Sequence, residues 1–568
     1  MKTLLAIISV ILTITGCAHT PGIQADAIYF GGDILTMEGD SAQYAEALAV
    51  KDGKILFVGA KADAEKWKGD STVMTDLQGK TLLPGFIDGH SHVFLGMSII
   101  DMADLNSPPV GKINNIGDII SAMQEQKKKL NLSDTDWIIG TGYDPDLLEE
   151  KRHPTLADLD AAFPTNPVLV WHISGHMIVL NSAALKIKGI DAKTPDPAGG
   201  TIVHKPGTNE PNGLLQENAV YLVVDILTRT GTAEETDAKV KRVFDYYTSC
   251  GITTAQDGLT MMDQMQIAQR LADKKEIPID LVLLPKYYYL DTLISMGTTF
   301  GEYHNRLKYG GMKVTLDGSP QGKTAFLSQP YLTPVPGCPH DCRGIASIEQ
   351  DELNQLFYKG YKNKIQLYAH CNGDASIDMM IKGHQYAIRQ LGDSTADHRT
   401  VIVHSQVMRP DQLDAYKAYN LFPSYFTNHT FFWGDVHLAN LGEERASFIS
   451  PLNSSIKKEI KFTNHTDYTV TPMNQLFTVW TAVNRITRSG KILGPDERVP
   501  AYEALKAITI NGAYMYFEEN SKGSLKEGKL ADLVILDQNP VKVDPMKIKD
   551  IQVMQTIKEG TTVFKKKN

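Results

Sequence analysis

The chain has 568 residues, a formal net charge of -9 and a hydrophobic content of 42%. A chain of this length can bury a large core, and it is expected to form two domains. The charge balance is only weakly acidic and no long basic block is present, which excludes nucleic acid as an expected partner.

Residues 1–17 have the pattern of an export signal. An apolar stretch, 4–14, is too short to span a bilayer and is followed by Gly16 and Cys17. Small residues before a cysteine resemble the bacterial lipobox, in which cleavage leaves Cys17 as the lipidated first residue. An ordinary secretory signal with an incidental cysteine is the alternative. Because Ala18 follows, and not aspartate, we expect a lipid anchor in the outer membrane that faces the periplasm.

The other four cysteines form two pairs with different expected roles. Cys250 and Cys371 lie within apolar stretches and are predicted to be buried thiols. Cys338 and Cys342 lie close together in a loop rich in glycine and proline. Because export brings this loop into an oxidising compartment, we expect a disulfide between them. Free thiols or a minor metal site are the alternatives.

Both ends of the chain have the pattern of short strands and turns. In 26–78, apolar stretches such as 47–50 and 55–59 flank a turn and predict a hairpin. The same pattern returns in 522–568. Each end is too small to form a good core alone, so we predict that the two pair in one β-sandwich. A barrel domain, 80–520, would then be inserted between them.

Apolar, strand-like segments recur through the middle of the chain. After the stretch 82–92 they occur at 168–174, 251–257, 279–285, 312–317, 365–371, 400–405, 421–428 and 461–467. That makes nine, whereas a TIM-type barrel has eight strands. Region 95–245 lacks steady alternation of strands and helices, so we interpret it as an insertion, which removes 168–174 from the barrel.

The predicted fold is therefore an α/β protein. It consists of a (β/α)8 TIM-type barrel with a large insertion after strand 1, together with a β-sandwich built from both termini. A helix at 502–517 would close the barrel before the chain returns to the sandwich.

An apolar run leads directly into His90 and His92. Residues two apart on a strand point to the same face, so these imidazoles would project side by side. Neutral imidazoles in that arrangement can bind one divalent metal ion such as zinc. Taken alone, the motif is better explained as an exposed pair at a strand end. Polar residues at the ends of later strands favour the metal site, because a barrel brings side chains from all its strands to one rim.

Four of these polar residues lie in the strand-like segments named above. Strand 4 is predicted to end with Lys313, strand 5 with His370, strand 6 with His404 and strand 8 with Asp467. A lysine beside two cations must be neutral or carry an added carboxylate, because a free ammonium there would be strongly disfavoured. The alternatives are a surface or ion-paired lysine and hydrogen-bonded core histidines.

Several motifs together resemble the amidohydrolase superfamily, and within it amidohydrolase family 3, the branch that includes the N-substituted formamide deformylases. In chain order they are 84–92, 175–176, 181–185, 213–217, 313–318, 324–325, 330–331 and 369–375. Each motif is weak alone, but their order is specific. The resemblance covers essentially the whole mature chain.

This resemblance implies one or two divalent ions, expected to be zinc. The implied ligands are His90, His92, Lys313, His370, His404 and Asp467. The first two histidines and Asp467 would hold the more buried ion, and the last two histidines would hold the second. Lys313 is similar to a strand-4 lysine that is carbamylated in relatives and bridges both ions.

The resemblance further implies a hydrolase that cleaves an amide C–N bond of a small molecule, of the N-acyl or N-formyl amine type. Water activated by the metal would attack, and Asp467 would carry its proton to the leaving nitrogen. A deaminase or a cyclic-amide hydrolase would use the same residues. A non-catalytic ligand-binding lipoprotein is the alternative from another class. A homodimer is left open.

Two stretches depart from the family pattern. The family often has Gly-Ser-Asp at strand 8, whereas this chain has His465-Thr466-Asp467. His465 is therefore expected to enter the pocket or to compete as a ligand. The strand-7 stretch also differs, and its His429 and Trp433 are expected on the substrate side. Loop packing is an equally good explanation for both.

Two polar residues of the predicted insertion complete the expected site. His176 and Glu217 are predicted to shape or cap the pocket and to contact the substrate. Glu217 as a metal ligand in place of Lys313 is a minor alternative. The sequence does not identify the substrate, because specificity lies in loops and in the insertion.

Overall fold

The computed structural model describes residues 22–567 except 109, 146, 174–176, 198–199, 228–230 and 336–339. The predicted signal with its lipidation site, Cys17, lies outside the described residues. Within these ranges, no helix is both long enough and apolar enough to cross a membrane. The described chain forms three connected parts, which are a sheet built from both chain ends, a mixed six-stranded sheet and a barrel.

The amino-terminal part consists mainly of strands with apolar inner faces. Its elements are β1 (Ala27–Leu35), β2 (Tyr44–Lys51), β3 (Lys54–Gly59), α1 (Lys61–Ala64), β4 (Val73–Asp76), β5 (Thr81–Pro84), β6 (Phe86–Ile87) and α2 (Val93–Ile99). Asp52 and Gly53 connect β2 to β3, and both have positive φ angles, 47° and 75°. Two such residues give the turn twist that matches a hairpin, which explains why the Asp-Gly pair lies here.

The mixed six-stranded sheet lies in the chain between β6 and the other barrel strands. Its elements are β7 (Ala103–Asp104), α3 (Ile116–Lys129), β8 (Ile138–Tyr143), α4 (Leu156–Ala162), β9 (Val168–His172), β10 (Met177–Leu180), α5 (Ser182–Lys188), β11 (Gly200–His204), β12 (Pro211–Glu217), α6 (Val224–Leu227) and α7 (Ala233–Ser249). β9 pairs with β8 and β10, so the segment 168–172 belongs to this sheet. Val168 and Val170 pack into one apolar cluster and Leu169 into another.

The barrel strands carry the candidate site. The strands of this part are β13 (Ile252–Thr260), β14 (Asp280–Pro285), β15 (Tyr303–His304), β16 (Leu307–Tyr309), β17 (Met312–Thr315), β18 (Leu367–Cys371), β19 (Val401–His404), β20 (Phe422–Tyr425) and β21 (Thr463–Asn464). With β6, the strands β13, β14 and β17 to β21 lie where the eight barrel strands were predicted. Neighbouring strands pair in parallel, and a bridge between Lys286 and Lys313 joins the two halves. The predicted TIM-barrel-like α/β fold is confirmed.

The helices of the barrel part are α8 (Met262–Asp273), α9 (Leu290–Ser295), α10 (Gln350–Lys362), α11 (Asp374–Leu391), α12 (Pro410–Ala418), α13 (Asn428–Phe432), α14 (Gly434–Leu441), α15 (Glu443–Ser447), α16 (Leu452–Lys457), α17 (Gln475–Asn484), α18 (Ala501–Ala507) and α19 (Ile510–Met515). The single helix predicted at 502–517 is therefore wrong. The helix breaks at Thr509, which has φ −132° and ψ −98°. The carbonyl of Ile508 instead accepts a hydrogen bond from the backbone N–H of Ile87, so it pairs with the barrel strand β6.

Strands from both chain ends share one sheet. The carboxyl-terminal strands are β22 (Leu533–Leu536), β23 (Val553–Lys558) and β24 (Thr561–Lys565), and β22 pairs with β5. The order is β24-β23-β22-β5-β1-β2-β3, with β4 also on β1. β1 is irregular between Phe30 and Ile34, so its first half pairs with β4 and its second half with β5. The two chain ends, which were predicted to share a β-sandwich, are hydrogen-bonded into one branched sheet.

A buried ionic cluster joins this sheet to the barrel. Asp280, the first residue of β14, pairs with Lys522 and lies 2.7 Å from Nζ of Lys558 in β23. Lys558 also lies 2.8 Å from Asp532, and Lys522 lies 2.9 Å from Glu518. Burial alone would raise the pKa of Asp280, but the two lysines together hold it well below its usual value. Asp280 begins its strand, so the cluster lies at the opposite end of the barrel from the candidate site.

The described cysteines have different states. Cys342 is disulfide-bonded, while its predicted partner, Cys338, lies outside the described residues. Cys250 and Cys371 are free thiols. Cys371 is buried as expected, because it lies in β18 against the barrel core, and Cys250 is only half-buried.

Candidate metal centre

The polar residues predicted from the barrel strands lie together at one end of the barrel. The ring centroid of His90 lies 5.0 Å from that of His92 and 5.5 Å from that of His404. The ring of His404 in turn lies 4.6 Å from that of His370. Parallel strands that end at the same rim account for this grouping, because residues as far as 377 positions apart in the chain meet there.

Three of these residues converge on one point. The ligand atoms of His90, His92 and Asp467 all lie within 4.8 Å of one another. Oδ1 of Asp467 lies 3.1 Å from Nε2 of His92 and 3.6 Å from Nε2 of His90, yet it is buried and accepts no hydrogen bond. A buried carboxylate oxygen without a donor is costly unless a cation satisfies it. The donor set and this open oxygen therefore fit a divalent cation.

Gln256 fixes the orientation of His90. Nδ1 of His90 lies 2.6 Å from Oε1 of Gln256, whose Nε2 donates to the hydroxyl of Tyr516 and to a backbone carbonyl. Because Oε1 can only accept, Nδ1 carries the proton and Nε2 keeps its lone pair. Burial and the nearby Lys313 hold the pKa of His90 well below its usual value. Gly258 leaves room for the ring of His90, since a Cβ at this position would lie 2.0 Å from Cε1 of that ring.

Lys313 reaches the same point from β17. Its Nζ lies 2.7 Å from Nε2 of His90, and the residue is 2% exposed. Burial lowers the pKa of Lys313 to about 7, although Asp467 opposes this shift. A surface lysine is therefore excluded. Lys313 is the second residue of β17 and does not end the strand, so its long side chain spans the remaining distance.

Asp317 orients His370. Its Oδ1 lies 3.1 Å from Nδ1 of His370, and its two oxygens accept the backbone N–H groups of Asn372, Gly373 and Phe326 and the hydroxyl of Ser376. A carboxylate held so firmly sets the ring orientation of the histidine beside it. His370 and His404 lie next to the converging group of three but are not part of it.

Comparison with known proteins agrees with this geometry. The sequence model of the amidohydrolase family matches residues 74–564. The chain belongs to this family. Putative amidohydrolase YtcJ of Bacillus subtilis is 28% identical over 95% of this chain and 99% of its own length. N-substituted formamide deformylase of Arthrobacter pascens is 26% identical over 95% of this chain and 98% of its own length.

Solved structures share the fold of this amidohydrolase. An uncharacterized metal-dependent hydrolase from Pyrococcus horikoshii OT3 has a TM-score of 0.71 and 24% identity, covering 91% of this chain and 99% of its own. One from Pyrococcus furiosus has a TM-score of 0.70 and 23% identity, covering 91% and 100%. The family match makes the protein an amidohydrolase, and these neighbours show that it shares their fold.

His465 of this amidohydrolase is fully buried and supports His404. Its Nε2 lies 3.1 Å from Nδ1 of His404, and its Nδ1 lies 2.8 Å from Oγ of Ser424. If Nδ1 of His404 donates to His465, then His465 donates to Ser424 and Nε2 of His404 keeps its lone pair. Both ring nitrogens of His465 are therefore engaged, which leaves neither for a metal ion or for substrate.

Among the residues expected on the substrate side, the structure describes the side chains of His429 and Trp433 but not those of His176 and Glu217. His429 lies in α13, where its Nδ1 is 3.0 Å from Nε2 of His437 and its ring is 4.5 Å from that of Trp433. His429 is buried and Trp433 is half-buried. His176 lies outside the described residues. Glu217 ends β12, and its side chain is outside the described part.

Gln256, Asp317 and Ser424 are the residues that sequence analysis did not assign to the site. Each is a polar residue within an apolar barrel strand or two residues after one. That position was the available signal, since a buried strand tolerates a polar side chain only when it has a partner. The partner itself was not visible from the sequence.

Proposed function

We propose that this amidohydrolase cleaves the C–N bond of small N-acyl or N-formyl amines with one or two divalent cations, expected to be zinc. The observation that carries the proposal is the convergence of His90, His92 and the open oxygen of Asp467. Imidazole nitrogen and carboxylate oxygen are ligands that zinc binds well. The full-length similarity to the Arthrobacter pascens deformylase supports an N-formyl or N-acyl substrate.

The side chains account for the proton transfers. A bound divalent cation supplies Lewis acidity and lowers the pKa of water to about 7. Burial would raise the pKa of Asp467, but the imidazole of His92 and its neighbours hold it well below its usual value, so it is a carboxylate. Asp467 takes a proton from water as the oxygen attacks the carbonyl carbon, and it delivers that proton to the nitrogen as the C–N bond breaks. The products are an amine and a carboxylic acid, which releases its proton to become the carboxylate.

Metal analysis combined with a substrate screen tests this proposal. Purified protein should contain a divalent metal, and chelation should abolish activity that added zinc restores. A panel of N-formyl and N-acetyl amines should yield formate or acetate and the free amine. A 75-residue match to the adenine deaminase of Methanococcoides burtonii, 41% identical, makes deamination the second candidate. Ammonia released from aminopurines, with no cleavage of the amides, would replace the proposal by that reaction.

We also propose that Lys313 carries a carbamate in the active protein, because its Nζ lies 2.7 Å from Nε2 of His90 inside the site. The neutral amine adds to CO2, forming an N–C bond and releasing one proton. Lys313→Ala is expected to lose most activity, and short carboxylic acids should restore part of it by supplying the missing oxygens. Isotope-labelled bicarbonate should label wild-type protein and not the variant. Full activity of the variant without added acid would contradict the proposal.

We further propose that the protein is an exported lipoprotein, anchored at Cys17 in the outer membrane and facing the periplasm. Cys17→Ser is expected to release the protein from membranes into the soluble fraction. Hydrolase activity should be unchanged, because Cys17 is not among the residues proposed to bind the metal or the substrate. Mass spectrometry of the mature amino terminus checks the lipid directly. An unlipidated terminus at another residue would contradict the anchor.

A further inference from the structure

A short hairpin after α17 holds Arg488 at a fixed position. Ile486 and Ile492 form the bridge that closes the hairpin. The neighbours of Arg488 are tied to Asp435, which accepts the hydroxyl of Thr487 at 3.1 Å and the backbone N–H of Ser489 at 3.1 Å. Asp435 is in the first turn of α14, a helix that begins directly after Trp433. The backbone on both sides of Arg488 is therefore anchored beside the expected substrate side.

A continuous row of rings leads from the metal centre to Arg488. We call Phe426, His429, Trp433 and Phe432 the aromatic wall. Phe426 lies 5.9 Å from the ring of His404, and successive rings of the wall lie 4.6, 4.5 and 5.7 Å apart. The guanidinium of Arg488 lies 5.3 Å from the ring centroid of Phe432 at the far end.

Within the described ranges the guanidinium of Arg488 lies over ring faces and forms no hydrogen bond or ion pair, although the charge of Asp144 acts on it from nearby. Arg399 shows the contrast, because it also lies over two rings but is paired with Asp397 and Glu519. Burial lowers the pKa of Arg488, and the charge of Asp144 opposes this. Asp144 directly follows β8, so Arg488 stands where the barrel part and the six-stranded sheet approach each other.

We infer that Arg488 binds a carboxylate at the end of the substrate remote from the scissile bond. This inference rests on the proposed function and narrows it to N-acyl amines with an apolar or aromatic body and a terminal carboxylate. The body would pack along the aromatic wall, whose ring faces favour apolar and aromatic groups. The guanidinium is open to solvent and offers paired N–H donors that match a carboxylate.

Matched substrates test this assignment. An N-formyl amine with an aromatic body is prepared with a terminal carboxylate and, as its partner, with a terminal carboxamide. Wild-type protein should prefer the carboxylate in kcat/KM by roughly ten- to a hundredfold, the usual effect of a hydrogen-bonded charged group. Arg488→Met should lose this preference through KM, with kcat and the carboxamide reaction little changed. Arg488→Lys should keep part of it, because the charge remains.

Arg389→Met is the matched control, because Arg389 is an exposed arginine on α11. It should leave both substrates unaffected, and thermal unfolding should show that all variants are folded. Equal hydrolysis of the two substrates by wild-type protein would overturn the role of Arg488 and leave the proposed function intact. Hydrolysis of neither substrate by metal-loaded protein would overturn the proposed function, and this inference with it. An equal fall for both substrates in Arg488→Met would show a structural role only.

Discussion

Asp467→Asn is expected to reduce kcat by a hundred- to ten-thousandfold, the range that general acid–base groups contribute. Asparagine keeps an oxygen that can bind a metal but is a poor proton acceptor. Bound metal should therefore be partly retained while turnover is lost. Single-turnover kinetics and metal analysis of the same preparation measure the two effects separately.

Two comparison variants distinguish loss of the proton carrier from loss of the metal ion and from a non-specific effect. His92→Ala removes a metal ligand and should lose metal and activity together. Asp351→Asn changes an exposed carboxylate on α10 and should change neither. If Asp467→Asn kept near-normal turnover, Asp467 would not be the proton carrier. His465 would be a poor replacement, because both of its nitrogens are engaged.

Asp280→Ala is expected to lower the free energy of unfolding by about 3–5 kcal/mol, as when one partner of a buried ion pair is removed. The change would leave Lys522 and Lys558 buried beside each other without the carboxylate that they share. Because this cluster joins β14 to β23, the terminal sheet of the variant should separate from the barrel at a lower urea concentration than in wild-type protein. Urea denaturation followed by fluorescence and by limited proteolysis measures this loss.

Asp291→Ala is the matched control for the ionic cluster. Asp291 forms an exposed pair with Lys359 at 2.7 Å, and such pairs typically contribute less than about 1 kcal/mol. Metal content should be unaffected in both variants, because the cluster lies at the opposite end of the barrel from the metal centre. A loss no larger for Asp280→Ala than for Asp291→Ala would show that the cluster does not stabilise the junction.

The barrel strands and the candidate metal ligands could be predicted because both depend on local sequence pattern. A parallel strand buried on both faces appears as a continuous apolar run, as in β18 and β19. Polar residues that interrupt or end such runs, among them His90, Lys313 and His404, meet at one rim because parallel strands share a direction. Local pattern and a single topological rule were therefore sufficient for this part.

The segment 168–172 shows where the same pattern is ambiguous. It is as apolar as a barrel strand, because Val168 and Val170 pack on one face of the six-stranded sheet and Leu169 on the other. Burial on both faces removes the alternation that distinguishes the two kinds of sheet. Only the missing strand–helix alternation around it indicated that it lies outside the barrel.

The sequence by itself therefore determined the family, the strands and the candidate metal ligands of this amidohydrolase, because each depends on residues close together in the chain. The tertiary structure alone decided which groups orient those side chains. Gln256 is 166 residues from His90, and Asp317 is 53 from His370. The role of His465 was also a tertiary outcome. β21 ends before it, and Asp467 has a positive φ of 49°, so strand alternation no longer places the two side chains on one face.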